Sequence, residues 1–184
     1  MNPLRPSRPR HRDHADATKL YGSIVAQARL PTFYQSLAVP DTLQGRFLVL
    51  SLHLFAVLHR LKGEGPEGLS LAQELSNRFS EDMETVLREI GVGDISIPKK
   101  MRGLAASGGA LLQAYDEALA SGEQALASAI AGAFPLKAGW LEGATRPIAR
   151  YVMGMVRSLE AQPLAALRAG EVDFSGPMPG PAGR

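Results

Sequence analysis

The stretch Thr42–Leu61, TLQGRFLVLSLHLFAVLHRL, constrains what this 184-residue chain can become more than any other part of it. It reads as one helix. The Pro40-Asp41-Thr42 turn opens it, with Asp41 as the expected N-cap, and the Gly63-Glu64-Gly65-Pro66 loop closes it. Apolar residues occupy nearly every side, and a helix that is hydrophobic all round is either a membrane span or the centre of a bundle. A span needs about twenty consecutive apolar residues. Here the apolar core, Phe47 to Leu58, is shorter, is broken by Ser51 and His53, and is flanked by Arg46 and Arg60. The stretch is a buried core helix, and other helices must surround it.

The rest of the chain offers those helices. Lys19 to Leu30 places Leu20, Ile24 and Ala28 on one face, with Tyr21 and Val25 beside them, and Pro31 ends it. Ser70 with Gln73 fits a capping box opening a helix through Leu71, Leu75 and Phe79. Ser80 reads as a new cap for a helix using Met83, Val86, Leu87 and Ile90 and stopping at Gly91. Pro98 suits the first turn of the next helix, whose face is Met101, Leu104, Leu111, Leu112, Tyr115 and Leu119. An alanine-rich helix spans Glu123 to Phe134. The last runs from Trp140 to Leu159, with Pro147 expected to kink or restart it. No segment alternates apolar and polar residues long enough to make a strand. The expected fold is all-α, a single helical-bundle domain of about six or seven helices over residues 19–170.

Both ends read as tails. Residues 1–18 are rich in Pro and Arg without apolar periodicity and are expected to be a disordered basic tail. They lack the apolar run of a secretory signal. Pro3, Pro6 and Pro9 oppose the amphipathic helix of a mitochondrial transit peptide, and Asp13 and Asp16 have the wrong sign for one. Residues 171–184 are expected to be a flexible Pro/Gly-rich tail.

Charge and composition narrow the function. The net charge is +2, and the first nineteen residues hold five cations against two aspartates, so the body is nearly neutral. A nucleic-acid-binding face would show in that balance, so no specific DNA partner is expected. The chain has no cysteine, which removes disulfides, thiolate metal sites and cysteine nucleophiles and fits a reducing compartment. His53 and His59 fall on different faces of their helix, and no Glu-x-x-His pairing occurs, so no metal is expected. Gly91-Val92-Gly93-Asp94 follows a helix rather than a strand, which makes it a helix end and tight turn instead of a dinucleotide loop. Ser, His and Asp show no nucleophile-elbow pattern. The expectation is a non-enzymatic protein with no cofactor and no small-molecule substrate.

Two basic features stand out. Arg46, His53 and Arg60 recur every seven residues and form one polar stripe on the central helix. It is either that helix's solvated edge or a basic strip for an acidic partner or lipid headgroup. Lys99, Lys100 and Arg102 crowd the start of a helix, where the dipole disfavours cations, which hints at an anionic contact. Asp94 stands close enough in sequence to meet that helix start or its basic residues.

Two long segments carry a resemblance. LYGSIVAQARLPTFYQSLAVPDTLQGRFLVLSLHLFAVLHRL (Leu20 to Leu61) is similar to the opening of the ubiquinol–cytochrome c chaperone family. FSEDMETVLREIGVGDISIPKKMRGLAASGGALLQAYDEAL (Phe79 to Leu119) is similar to its second half. The recurrent features are Tyr21, Phe33-Tyr34, Pro40-Asp41-Thr42, Gly45-Arg46-Phe47, the Asp82 helix, and GVGDISIPKKMR, which is the most specific piece. The resemblance implies an assembly factor of respiratory complex III that binds newly made cytochrome b or another complex III subunit. In mitochondria such proteins associate with the translating ribosome. The short N-terminus, without transit peptide or anchor, implies a bacterial-type member, cytoplasmic and able to sit at the inner face of the cytoplasmic membrane. The expected client-binding residues are Phe33, Tyr34, Arg46, His53, Asp94, Lys99, Lys100 and Arg102. They would rim an apolar groove beside the central helix, with the Ala/Gly-rich segment Gly103 to Ala133 allowing close helix approach. The alternative reading is a peripheral membrane or ribosome-associated scaffold that binds anionic lipid or RNA through the basic tail.

Overall fold

In the computed structural model, residues 10–133 and 141–174 are described. They form α1 (Arg10–Ala28), α2 (Thr32–Gln35, a single turn), α3 (Leu43–Lys62), α4 (Gly65–Glu89), α5 (Ile97–Ser121), α6 (Glu123–Ala133), α7 (Leu141–Glu160) and α8 (Leu164–Ala169), with no strand among the described residues. The all-α expectation holds. Helix α3 sits at the centre, buried from Leu48 to Leu61 apart from Leu50, His59 and Arg60. Helices α1, α4 and α7 pack around it, α5 leans on α6, α6 on α7, and α8 closes on α1.

The ends of these helices follow from local chemistry, with corrections. Thr42, not Asp41, caps α3: its backbone is extended and its hydroxyl accepts from the Gly45 N–H at 3.2 Å. Asp41 instead binds the Arg46 side chain at 2.7 Å. The two helices expected within 70–90 are one, α4, opened by Pro66. Ser70 and Ser80 lie inside it, where Ser80 donates to the Ser76 carbonyl and Ser70 to a neighbouring helix. Pro98 does open α5. Helix α7 continues through Pro147 without a restart. The expected ends at Phe134 and Trp140 lie outside the described residues.

Both tail boundaries also move. Helix α1 begins at Arg10, because the apolar face Leu20, Ile24, Ala28 continues upstream through Ala17 to Asp16 and Asp13. Those aspartates are 7% and 4% exposed, and their partner comes from the other end of the chain. Arg168 on α8 donates to Asp13 at 2.6 Å and Asp16 at 3.1 Å, and Ser70 on α4 donates to Asp13 at 2.7 Å. Burial raises the Asp13 pKa, but these bonds outweigh it and hold the carboxyl below the usual range. At the other end, Phe174 is buried, and Gln162 clasps the Asp173 backbone through both its N–H and its carbonyl. The domain therefore packs from residue 10 to 174. Residues 1–9 and 175–184, the remainder of the two expected tails, lie outside the described residues.

One consequence is testable. Arg168→Ala removes the buried cation shared by two buried carboxylates, leaving Asp13 only Ser70 and Asp16 only the longer pairs with Arg12 and Lys19, and is expected to cost about 3 kcal/mol, read as a lower urea midpoint. Substituting the exposed Arg157 in the same way should leave that midpoint within error.

Candidate functional site

The polar stripe on α3 divides between surface and interior. Arg46 is exposed, and its guanidinium lies 5.5 Å from the Tyr34 ring centroid. Arg60 donates to the Leu159 carbonyl at 2.8 Å and the Gln162 carbonyl at 2.9 Å, closing the C-terminal end of α7. His53 is only 1% exposed. Only Arg46 remains on the solvated side, paired with Asp41. His53 and Arg60 form a seam that fastens α7 to α3.

His53 is tightly specified. Its Nδ1 is 2.7 Å from the Val49 carbonyl, an obligate acceptor, so the proton sits there. Its Nε2 then accepts from the Tyr151 hydroxyl at 2.9 Å, and the Tyr151 oxygen accepts from the Gln27 amide at 3.3 Å. Phe33, Tyr151 and Phe174 enclose the ring at 5.3, 5.6 and 5.4 Å between centroids. Burial pushes the imidazole pKa down to about 4, against the raising effect of the Val49 bond. Phe33 is likewise 3% exposed. Both residues, expected at a client surface, belong to the core behind it.

The surface itself is a groove. Helix α5 is fixed to α3 near its C-terminal end, where Asp116 accepts from His59 at 2.7 Å and pairs with Lys62. Burial raises the Asp116 pKa, but Lys62 and His59 together hold it below the usual range. Toward its N-terminus α5 stands off. Two adjoining cavities share Phe47 and Leu104: the smaller, about 430 Å³, opens between α1, α3 and α4, and the larger, about 630 Å³, between α3, α4 and α5. Leu54 and Leu58 of α3, Phe79 of α4, and Met101 and Leu112 of α5 line the larger one, and no charged residue does among the described residues. Phe47 and Phe79 face each other across it at 6.2 Å. At the other end, Leu43 and Ile90 line the smaller cavity although each is 57% exposed. This open apolar lining makes the groove the candidate site.

The remaining expected residues lie around this groove. Tyr34 and Arg46 line the smaller cavity with Arg29, Tyr34 donating to the Ala28 carbonyl at 3.0 Å. Lys99, Lys100 and Arg102 are exposed on either side of groove-lining Met101, and no described acidic side chain pairs with them. Asp94 does not meet them. It binds Arg88 of α4 at 2.6 Å, tying the 90–96 loop back instead. The groove beside the central helix was expected, with Gly103 to Ala133 as its small-residue wall, but none of its large apolar lining was named as a site residue. The signal was the α5 face Met101, Leu104, Ala105, Gly108, Leu111, Leu112, Tyr115, in which small residues interrupt an otherwise large apolar row. Among the described residues no three His, Asp or Glu side chains gather as metal ligands, and no helix is long and apolar enough to cross a membrane.

Fold and groove define an all-α domain that leaves part of its apolar interior open to the surface. Its sequence matches the profile of the ubiquinol-cytochrome C chaperone family over residues 35–174. The chain belongs to that family. It is 29% identical over 114 residues to the ubiquinol-cytochrome-c reductase complex assembly factor 1 of Xenopus laevis, a match covering 62% of this chain and 57% of that protein. The mouse protein of the same name is 30% identical, with 39% of its length covered. The crystal structure of the Cbp3 homolog from Brucella abortus superposes with a TM-score of 0.79 at 38% identity, covering 90% of this chain and 91% of that one. The chain thus spans little more than half of the frog protein and less of the mouse protein.

The His53 geometry sets a pH dependence. Between pH 6.5 and about 4 the unfolded chain binds a proton at this position that the native state refuses, so stability falls as the pH falls through that window. The loss is expected to reach about 3 kcal/mol. Denaturant midpoints from pH 7.5 to 4.5 should drop more steeply for the native chain than for His53→Gln.

Proposed function

We propose that this protein is a non-enzymatic chaperone for the assembly of respiratory complex III, and that its client is newly made cytochrome b. The observation that carries the reading is the groove beside α3, apolar through its larger cavity, with Arg29, Arg46 and Asp82 lining the smaller one and Lys99, Lys100 and Arg102 exposed beside Met101. Membership of the chaperone family and the assembly-factor names of its relatives support it. A membrane subunit before assembly exposes apolar helices with polar loops. A trough of Phe47, Leu54, Phe79 and Leu104 shields the former, and Lys99, Lys100, Arg102 and Arg46 meet carboxylates of the latter. The client's burial supplies affinity through apolar area, and the rim supplies orientation and rate of encounter.

One observation favours a second reading. Ile95 is 98% exposed on the 90–96 loop, immediately before the Lys99–Lys100–Arg102 cluster. An exposed apolar side chain beside cations is how a peripheral protein touches an anionic membrane. Such contact at the inner face of the cytoplasmic membrane would place the groove where the client emerges. Flotation with vesicles containing anionic lipid separates the two, since a scaffold binds them without client.

Lys99→Glu combined with Lys100→Glu is expected to reduce recovery of cytochrome b with the tagged protein several-fold, with unchanged far-ultraviolet circular dichroism. Wild-type recovery by that variant would remove the rim from the reading. Failure of the native protein to enrich any complex III subunit from gently solubilised membranes would remove the client.

A further inference from the structure

Resting on the reading that the client enters the groove, we infer that the occupant is a single α-helix seated against Gly108 and hydrogen-bonded through one polar side chain to the hydroxyl of Tyr115. Two independent observations point there. The first is Tyr115 itself. It lines the larger cavity, is 0% exposed, and packs its ring edge-on against Phe55 at 5.3 Å. Its hydroxyl has no hydrogen-bond partner among the described residues. The other buried or half-buried hydroxyls in the groove are already satisfied. Ser51 donates to the Phe47 carbonyl at 2.7 Å and Ser76 to the Ala72 carbonyl at 2.8 Å. Buried polar groups in folded proteins nearly always find a partner, so an orphan at a binding surface marks where one arrives.

The second observation is a glycine without an internal reason. Gly45 and Gly68 are glycines because a Cβ would fall 2.0 Å from the Pro40 carbonyl oxygen or 2.3 Å from that of Leu61. At Gly108, as at Gly103 and Gly109 on the same helix, a Cβ would meet nothing within 4 Å, and the residue lies mid-helix with no left-handed backbone to satisfy; of the three, Gly108 is the least exposed. Glycine weakens a helix interior relative to alanine. Gly108 nevertheless stands in the groove-lining row of α5, two turns from Tyr115, with Ala105 on the same face. A bare backbone at that position lets another helix come close, as small residues do wherever helices pack tightly. Close approach over Gly108 brings the occupant's next turns past Tyr115. An occupant that is apolar but for one hydrogen-bonding side chain, as membrane helices that line functional sites are, satisfies both features.

The test uses the full chain in mild detergent and two labelled twenty-residue Leu/Ala helices, one carrying a central Gln, with binding followed by fluorescence anisotropy. The Gln peptide is expected to bind about fivefold more tightly, the equivalent of one neutral hydrogen bond. Tyr115→Phe should abolish the preference while retaining the fold. Gly108→Leu should weaken both peptides about tenfold or more by filling the seat. Gly108→Ala, which adds one methyl group into open space, should weaken both by less and guards against misfolding of the larger variant. A Gln preference that survives Tyr115→Phe, or wild-type binding by both Gly108 variants, overturns the inference. Cytochrome b recovery measured alongside keeps the failures apart. Normal recovery without peptide preference overturns this inference alone, whereas no recovery by the native chain overturns the reading beneath it.

Discussion

The structure depends on one constraint, which is that α3 has no side that water can be allowed to wet. A fully buried leucine, isoleucine or phenylalanine contributes roughly 2 kcal/mol, and α3 holds Leu48, Leu52, Phe55 and Leu61 at 2% exposure or less. Such a helix forces its neighbours into place. Helices α1, α4 and α7 each take a side of it. The polar atoms it does carry are spent on locking them, His53 to Tyr151 and Arg60 to the last carbonyls of α7. Because those polar groups are buried, each must find a partner, and that requirement fixes the register of α7 more sharply than apolar packing would.

The side of α3 toward α5 is treated differently. The Asp116 pair with His59 and Lys62 secures one end of α5, while its opposite half presents Ala105, Gly108 and Gly109 where larger side chains would have closed the gap. The remaining trough leaves Phe47 and Leu104 only partly covered. A bundle built for stability alone would fill this space, since unfilled apolar volume weakens a core. Leaving it open makes sense when a partner supplies the missing layer, and this is the physical link between the fold and the function proposed for it.

Much of this was legible in the sequence, and the exceptions have a common origin. The helical class, the central role of Thr42–Leu61, the helix start at Pro98 and the stop at Gly91 follow from local rules of periodicity, proline and glycine, whereas Pro66 read as part of a loop and in fact opens α4. What failed were inferences about which side chains reach the surface, most of them polar. Asp13 and Asp16 looked like part of a solvated tail because their partner, Arg168, is more than 150 residues away. His53 looked like a point on an exposed stripe because the wall that buries it, Tyr151 and Phe174, comes from the far end of the chain. Phe33 read as a surface anchor, yet the short turn of α2 tucks it beneath Tyr151 at 5.2 Å. Ser70 read as a cap, but its hydroxyl serves another helix.

The sequence by itself determined the apolar centre, the helical period around it and the places where the chain turns, because each is set by residues within a few positions of one another. Its resemblance to a family of chaperones was also carried locally, above all by GVGDISIPKKMR. Only the tertiary structure decided which polar side chains are buried, that the domain begins at α1 and packs through Phe174, and that a groove opens between α3, α4 and α5. Burial and vacancy are properties of two surfaces meeting, and a chain read one residue at a time shows only one of them.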